Sequence, residues 1–387
     1  MSPQQHRLQT IEQARNQVLQ NQAPASHSIQ NPKELIAPWV LRSWQRCLQQ
    51  ELRPNHKPFF NPVSQAQIKR IQADNHHLIQ AAMPVLESLS HTLAKTRYFA
   101  VLTNPMGDVI AAHGPIDQSD PAAERITRVG VNLSEAAIGT SAIGSALIEQ
   151  QTVWLHRGEH FFNETSLYSC AGAPLYGSKG ECVGMLDLTG IMAEERRELC
   201  HLVEQAAGNI QNQLVLAVPH QVVLRFNWPG QSLMNSQDAI VCLDSAGFIQ
   251  SSNKQARHML GLDAFQTQNH SESPHFQDLF ATDQACVMDA ATQDMQLLCL
   301  PLWSGLCVDA VALLPHQHTQ QLTSPTYAKL QPITRATLVP EQAKAQQGLK
   351  EVESELIAKT LRQLKGNVAQ TAKVLGISRA TIYRKLK

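Results

Sequence analysis

The sequence predicts an α+β protein in which two antiparallel-sheet domains precede a small all-α unit at the C-terminus. One observation in each of two regions supports the sheets. Short apolar segments separated by turns that contain glycine recur over residues 98–190 and again over 222–315. A third observation supports the helices, because residues 64–94 and 349–365 carry apolar side chains at three- and four-residue steps.

Composition limits the class of protein. With 387 residues, of which 43% are hydrophobic, the chain has room for two or three globular domains. It contains no run of about 18 apolar residues, and MSPQQHRLQTIEQAR lacks the apolar core of a signal peptide. We therefore expect a cytoplasmic protein with no membrane partner. The eight cysteines form no C-x-x-C pair, which predicts mostly buried thiols, with a redox role for Cys170 as the minor alternative.

Residues 1–75 are predicted to form a helical prefix. A weak apolar stripe over residues 1–30 indicates either a loose arm or a dimerisation helix, and both interpretations stay open. A helix is predicted within IAPWVLRSWQRCLQQELRPN, ending before Pro54. The helical stretch over 64–94 contains Pro84, which is expected to start or kink one of its turns.

Residues 76–216 are predicted to form a sensor domain with an antiparallel sheet and covering helices. Its segments are YFAVLTN, VIAAHG, the helical GTSAIGSALIEQ, VWLHRGEHFF, YSCAGAPLYG, ECVGMLDLTG and a helix from Ala193 to about Leu216. These segments resemble the GAF domain of regulators similar to the acetoin catabolism activator, and SWQRC resembles their helical prefix. The resemblance implies a small-molecule ligand between the sheet and its covering helices. Ser141 stands where that group more usually has Asn, which leaves the identity of the ligand open.

Strand alternation predicts which side chains line the ligand pocket of this domain. Aromatic and imidazole groups together would suit a small, partly polar organic effector, although each of these residues could equally belong to the core. The candidates are Trp154, His156, His160, Phe161, Tyr168 and Cys170. Asp187 is expected to cap a turn or to pair with a neighbouring residue.

The segment HRGEH matches H-x-x-E-H, an inverted zinc-peptidase signature that needs both histidines on one face of a helix. The apolar residues before and after it favour a strand, in which His156 and His160 would lie about 13 Å apart. We therefore predict no metal, no cofactor and no catalytic residue. A metal-dependent hydrolase that uses His156, Glu159 and His160 remains the alternative enzymatic hypothesis.

Residues 217–315 are predicted to form a second, five-stranded domain. Its strands begin with VVLRFNWPG and DAIVCLDS and end with MQLLCLPLWSG and LCVDAVALLP, which form a hairpin-like pair around Ser-Gly. The stretch AIVCLDSAGFIQSSNKQA resembles a PAS domain. Residues 316–347 contain three prolines and no regular period, which predicts a linker.

The tail over 348–387 is predicted to be a helix-turn-helix unit. In VAQTAKVLGISRATIYRKLK, Ala372, Gly376 and Ile382 have the spacing that lets two short helices pack at a steep angle. From residue 349 onward there are nine Lys and Arg against three Glu, a net charge of +6, which predicts binding to a polyanion. GNVAQTAKVLGISRATIYRKLK resembles the Fis-type C-terminal domain of bacterial enhancer-binding regulators, which implies dimeric binding to operator DNA.

The second helix of this unit supplies the predicted DNA contacts. Arg379 and Thr381 lie near its N-terminal end and are assigned to base edges. Tyr383, Arg384, Lys385 and also Ser378 are assigned to phosphates. One such unit has a small footprint, so a homodimer that reads half-sites about 34 Å apart is expected.

The sequence thus predicts a sequence-specific transcription regulator and not an enzyme. Regulators of the resembled group carry an ATPase domain between sensor and tail that drives promoter opening with sigma factor 54. This chain has no G-x-x-x-x-G-K-[ST] phosphate loop, so we expect repression, recruitment of RNA polymerase, or modulation of a full-length relative. An adaptor that forms heterodimers with such a relative is the alternative function.

Overall fold

The computed structural model describes residues 3–19, 36–263, 273–293 and 296–315. All of them belong to one compact unit that spans Met1–Gln321. The predicted linker and the predicted DNA-binding unit lie outside the described residues. The same is true of the six predicted DNA-contacting side chains, which are Ser378, Arg379, Thr381, Tyr383, Arg384 and Lys385.

The N-terminal region is helical, as predicted. Its helices are α1 (Pro3–Leu19), α2 (Pro38–Gln49), α3 (Gln65–Asp74) and α4 (His76–Leu93). The predicted stretch over 64–94 is divided into two helices because Asn75 leaves helical geometry, with φ −109° and ψ 17°. Ser64 fixes the start of α3 by exchanging hydrogen bonds with Gln67, which is a capping box. Pro84 lies inside α4 and not at a helix start.

The first sheet confirms the predicted antiparallel architecture. Its strands are β1 (Tyr98–Thr103), β2 (Val109–His113), β3 (Val153–His156), β4 (Tyr168–Tyr176) and β5 (Cys182–Ile191). They lie in the order β2-β1-β5-β4-β3, and every neighbouring pair is antiparallel. Eight of the nine residues of β4 are buried, which means that both faces of the sheet are covered.

Different helices cover the two faces. One face packs against α4 and α8 (Leu199–Leu216), where Leu86 and Ile210 are fully buried. The other face is covered by three short helices, which are α5 (Pro121–Thr127), α6 (Glu135–Ile138) and α7 (Ala142–Glu149). Because strand side chains alternate between faces, each residue of β4 and β5 belongs to one of these two environments.

Two predicted boundaries in this domain are wrong. The strand predicted over VWLHRGEHFF ends at His156, where Arg157 adopts φ 53° and starts a 3₁₀ turn over Arg157–Glu159. The helix predicted from Ala193 begins at Leu199. Tyr98 Oη donates to the Glu194 carbonyl over 2.6 Å. This hydrogen bond holds the chain around Glu194 against the sheet, so the helix starts after that point.

The second sheet confirms the predicted five-stranded domain. Its strands are β6 (Val222–Asn227), β7 (Ala239–Leu243), β8 (Ile249–Ser252), β9 (Leu297–Pro301) and β10 (Cys307–Leu313), in the order β8-β7-β6-β10-β9. Its helices are α9 (Lys254–Leu260), α10 (Phe276–Leu279) and α11 (Gln284–Ala291). One face forms a core around Phe226, Phe276 and Phe280, and the other packs against Val215 of α8.

The cysteines are more exposed than the sequence predicts. Cys47, Cys170 and Cys242 are buried, whereas the thiols of Cys286, Cys299 and Cys307 are exposed, and all eight cysteines are free. Apolar neighbours in the sequence do not guarantee burial, because every second residue of an edge strand such as β9 faces outward. None of the helices in the described ranges has the length and apolar character that crossing a membrane requires.

Candidate functional site

A small cavity lies between the first sheet and the helices α5–α7. Its open volume is about 20 Å³, which is room for one water molecule and not for an organic ligand. The lining combines an apolar wall with several polar side chains. It consists of Val101, Ile126, Leu133, Ile138, Ser141, Ala142, Ile143, His160, Thr165, Tyr168, Cys170, Asp187 and Thr189.

The polar part of the cavity is centred on the carboxyl group of Asp187, which is 1% exposed. Thr189 Oγ1 donates to Asp187 Oδ2. The Cys170 thiol, a weak donor, also lies beside this carboxyl group, but Asp187 Oδ1 has no partner of hydrogen-bond geometry within the described residues. A buried acceptor without a partner costs about 1–3 kcal/mol, so the site favours a molecule that brings a donor.

The protonation states follow from the burial of these groups. Burial raises the pKa of Asp187 to about 7 and lowers the pKa of His160 to about 4, so at neutral pH the imidazole is uncharged. Burial also raises the pKa of the Cys170 thiol well above its ordinary value. A protonated, buried thiol is a poor nucleophile, which argues against a redox role for Cys170.

Three of the predicted pocket residues line this cavity together, and they are His160, Tyr168 and Cys170. The Cys170 Sγ lies 3.6 Å from His160 Nε2 and 3.4 Å from Thr189 Oγ1. Tyr168 Oη donates to the Ala122 carbonyl over 2.9 Å, which connects β4 to α5. These three side chains therefore lie at one site in the structure.

The other three predicted pocket residues do not line this cavity. Trp154 and His156 pair in register with Ala171 and Ser169, whose side chains point to the opposite face of the sheet from Cys170. The alternation was assigned correctly within β4 but not between β3 and β4. Phe161 packs against the prefix, in a cluster with Trp44 and Phe162.

The HRGEH segment does not bring its histidines together. His156 Nδ1 lies 2.8 Å from Ser169 Oγ, whereas His160 lines the cavity on the other side of the sheet. Glu159 pairs with Arg7 and accepts from the backbone N–H of His156 over 2.7 Å. Within the described ranges, no group of three or more His, Cys, Asp or Glu side chains is arranged to hold a metal ion.

Helix α1 holds the segment that carries His160. The Arg15 guanidinium is 8% exposed and donates to the carbonyl of Gly158 over 2.8 Å and that of Phe161 over 3.0 Å. It also donates to the His160 carbonyl and to Asn163 Oδ1. Burial lowers the pKa of Arg15 to about 10, which leaves it charged at neutral pH. One cation of the prefix thus fixes the 157–163 wall of the cavity.

Helix α2 holds the covering helices through the SWQRC motif. Ser43 donates to the Glu135 carboxylate, and Arg46 donates to both Glu135 oxygens over 2.7 and 2.8 Å. Trp44 Nε1 donates to the Glu159 carbonyl over 2.9 Å. These contacts connect α2 to α6 and to the 3₁₀ turn, which lie next to the lining residues Ile138 and His160.

The family described as the MimR N-terminal domain matches residues 10–212, which is more than half of the chain. The chain belongs to that family. Its match includes the prefix and the first sheet domain, the two regions that the Arg15 and SWQRC contacts join. Residues 348–387 match the Fis family of bacterial regulatory proteins, as the tail predicted.

Two relatives show the extent of the similarity. The chain is 26% identical over 228 residues to the acetoin catabolism regulatory protein of Cupriavidus necator, an alignment that covers 57% of this chain and 34% of that protein. It is 28% identical over 185 residues to the propane 2-monooxygenase operon transcriptional activator MimR of Mycolicibacterium goodii, covering 47% and 30%. The alignments therefore span about a third of each relative.

A solved structure also resembles the chain. It is the crystal structure of the E. coli DhaR(N)-DhaL complex, with 16% identity and a TM-score of 0.44, covering 72% of this chain and 99% of that chain.

Asp187, at the centre of the cavity, was not among the residues that the sequence predicted to line the ligand pocket. Asp187 pairs with a neighbouring residue, Thr189, as expected, but its other oxygen meets the cavity. The signal that was available is an aspartate inside the otherwise apolar β5 segment, since a buried carboxylate needs a specific reason. Ser141 lines the cavity as well, but its hydroxyl accepts from Gly144 N and caps α7, a role that Asn also fills.

Proposed function

We propose that this chain is a DNA-binding transcription regulator that senses a small organic effector in the cavity at Asp187. The observation that carries the proposal is the buried, unpartnered Asp187 Oδ1 in a chain that also matches the Fis family of bacterial regulatory proteins. The effector would bring a hydroxyl or ammonium donor to this oxygen. Two relatives are named for acetoin catabolism and for a propane 2-monooxygenase operon, and acetoin and propane are small molecules. These names support an effector of about that size.

Effector binding requires the cavity to open, because about 20 Å³ does not hold an organic molecule. The walls that could move are the short helices α5–α7 and the segment 157–163. Arg46 of the prefix contacts α6, and Arg15 of the prefix contacts the segment 157–163. An effector that binds the open arrangement better would shift the protein toward it and displace α1 and α2.

The output of the regulator is assigned to residues 348–387. We propose that Arg379 and Thr381 read base edges, that Ser378, Tyr383, Arg384 and Lys385 hold phosphates, and that a homodimer binds operator DNA. Arg379→Ala would then relax one base preference at a cost of about 1–3 kcal/mol, whereas Lys385→Ala would weaken binding to all sequences alike.

The proposed regulator acts without an ATPase of its own, since residues 316–347 contain no phosphate-binding loop. It would repress, recruit RNA polymerase, or modulate a full-length relative at shared sites. Selection of genomic fragments bound by the purified chain would give the operator. Transcription from the adjacent promoters in strains with and without the gene would then give the sign of regulation.

The effector proposal is tested by calorimetric titration of the full chain with acetoin and 2,3-butanediol, which carry hydroxyl donors, and with 2-butanone, which does not. We expect the hydroxyl compounds to bind more tightly, and we expect Asp187→Asn to weaken them. Asp244→Asn, at a turn of the second sheet domain, is the matched control. Equal affinity for 2-butanone, or no effect of Asp187→Asn, would contradict the role of this carboxyl group.

A further inference from the structure

The hairpin formed by β9 and β10 lies at an outer edge of the second sheet and carries two cysteines. Within the described residues β9 pairs with β10 alone, in a register that sets Cys299 opposite Asp309 and Cys307 opposite Pro301. Side chains two residues apart on a strand share a face, so Cys299, Cys307 and Asp309 lie on one face of the hairpin. Both cysteines are exposed, so solvent reaches this face.

The two thiol groups interact with each other. The Cys307 thiol lies in hydrogen-bonding contact with the Cys299 thiol and raises the pKa of Cys299, and the Asp309 carboxylate adds to this shift. Cys299 therefore holds its proton more firmly than an ordinary exposed thiol does. Because the thiolate and not the thiol is the nucleophile, Cys307 is the member of the pair that is placed to react first, with Cys299 beside it.

Cys286 and Cys170 show what is particular to this pair. Cys286 is also exposed, but it belongs to α11, which covers the opposite face of the sheet, where Val287 shares a core with Val308. Cys170 is buried in the first domain. Accessible thiols with a second thiol next to them are the arrangement in which oxidation leads to a disulfide, because the second sulfur resolves the first adduct.

The pair is diagonal and not directly opposite, which determines what closing a bond requires. Diagonal positions of an antiparallel pair have Cα atoms roughly 7–8 Å apart, whereas a disulfide spans about 4.4–6.8 Å. The hairpin must therefore tighten by about 1 Å when the bond closes. Strand β9 can make this adjustment because its ladder within the described residues is on one side only. A disulfide closed in this way is more easily reduced than a relaxed structural one, which makes it reversible.

We propose that Cys299 and Cys307 form a reversible intrachain disulfide that responds to small oxidised thiols of the glutathione disulfide class. The redox role that the sequence left open for the buried Cys170 is thereby assigned to two exposed thiols of the second domain. The inference does not depend on the proposed function.

The reaction is two successive thiol–disulfide exchanges. The Cys307 thiolate attacks one sulfur of glutathione disulfide, so that a mixed disulfide forms and one glutathione thiolate leaves. The Cys299 thiolate then attacks the Cys307 sulfur, which breaks the mixed disulfide and releases the second glutathione. The two cysteines lose two protons and two electrons in total, and glutathione disulfide accepts both electrons as it becomes two glutathione molecules. An excess of glutathione reverses both steps.

The test equilibrates the full chain in buffers with increasing ratios of oxidised to reduced glutathione, followed by alkylation of the remaining thiols and mass spectrometry of chymotryptic peptides, since cleavage after Trp303 separates the two cysteines. We expect the Cys299 and Cys307 peptides to be joined in oxidising buffers and separate in reducing ones. Cys286→Ser is the matched control and should leave this titration unchanged. Peptides that stay separate at every ratio would overturn the inference.

Two serine variants separate the steps. In Cys299→Ser the resolving thiol is missing, so glutathione should stay attached to Cys307, whereas the wild type should release it. In Cys307→Ser the attachment of glutathione to Cys299 should be slower than to Cys307 in the first variant. Retention of glutathione on Cys307 in the wild type would show two independent surface thiols and refute the pair. A disulfide between two chains in place of the intrachain bond would refute it as well.

Discussion

Each of the two sheet domains buries an aspartate, and the two differ in how the charge is compensated. Asp238 in the second domain lies 3.2 Å from the Arg225 guanidinium and accepts from the backbone N–H groups of Met234 and Asn235. Asp187 in the first domain has only the Thr189 hydroxyl and the weakly donating Cys170 thiol. Both carboxyl groups leave one oxygen without a hydrogen-bond partner within the described residues.

This difference separates a structural carboxylate from one suited to a ligand. Burial raises the pKa of both groups, but the Arg225 charge and the backbone donors oppose the shift at Asp238. At Asp187 no cation opposes burial, and the pKa reaches about 7. A group near half protonation inside a cavity can change its charge when a ligand brings a donor, whereas a salt-bridged carboxylate cannot do so without breaking the fold.

The largest expected effect comes from removing the cation of the second domain. Arg225→Met leaves Asp238 buried without a counter-charge, which should lower the free energy of unfolding by about 3–5 kcal/mol. Denaturant unfolding of the full chain measures it, and Arg225→Lys, which keeps the charge, should lose less. If the methionine variant were as stable as the wild type, Asp238 would not depend on its partner and the contrast with Asp187 would disappear.

A second prediction concerns the pH dependence that Asp187 gives to the first domain. Its pKa is about 7 when folded and 3.8 when unfolded, so the folded state holds the proton more tightly. The protein therefore loses stability as pH rises from about 4 to about 7, by roughly 3 kcal/mol for this group.

Asp187→Asn removes this titration. Unfolding curves at pH 4, 6 and 8 should show the variant gaining roughly 4 kcal/mol relative to the wild type between the first and the last pH, whatever the offset at pH 4. Asp244→Asn serves as the control. A constant difference at all three pH values would show that the folded pKa is ordinary.

Arg15 extends the comparison to a buried cation, which is compensated by carbonyl oxygens and not by a carboxylate. Arg15→Met should lower the free energy of unfolding by about 1–3 kcal/mol because it leaves the carbonyls of Gly158 and Phe161 without this donor. Hydrogen exchange should rise at the Phe161 amide, which donates to Thr140 O, more than at amides of the second sheet. Equal exchange in both domains would mean that α1 does not hold the 157–163 segment.

The sequence predicted the strands and helices well because their signals are local. Alternation in YSCAGAPLYG placed Tyr168 and Cys170 correctly on one face, and the tail was assigned from its turn spacing and caps. The boundaries failed where a distant contact decides them. The end of β3 depends on the positive φ of Arg157, and the start of α8 depends on the bond between Tyr98 and Glu194.

The candidate site was harder to predict because its composition depends on register between strands. A single strand shows which residues share a face, but not which face of the neighbouring strand they join. Trp154 and His156 were misplaced for this reason, and Phe161 because the chain leaves the sheet after His156. The unpartnered oxygen of Asp187 is a property of packing in three dimensions, which no local pattern reports.

The smallest expected effect concerns Ser141, which lines the same cavity but has its hydroxyl engaged locally. The hydroxyl accepts from Gly144 N over 3.1 Å as the cap of α7, and Asn caps helices about as well as Ser. Ser141→Asn should therefore change the free energy of unfolding by less than about 0.5 kcal/mol, whereas Ser141→Ala should cost about 1 kcal/mol. Thermal unfolding of the two variants distinguishes these values. A large loss of unfolding free energy in the asparagine variant would mean that the cavity wall has no room for the larger side chain.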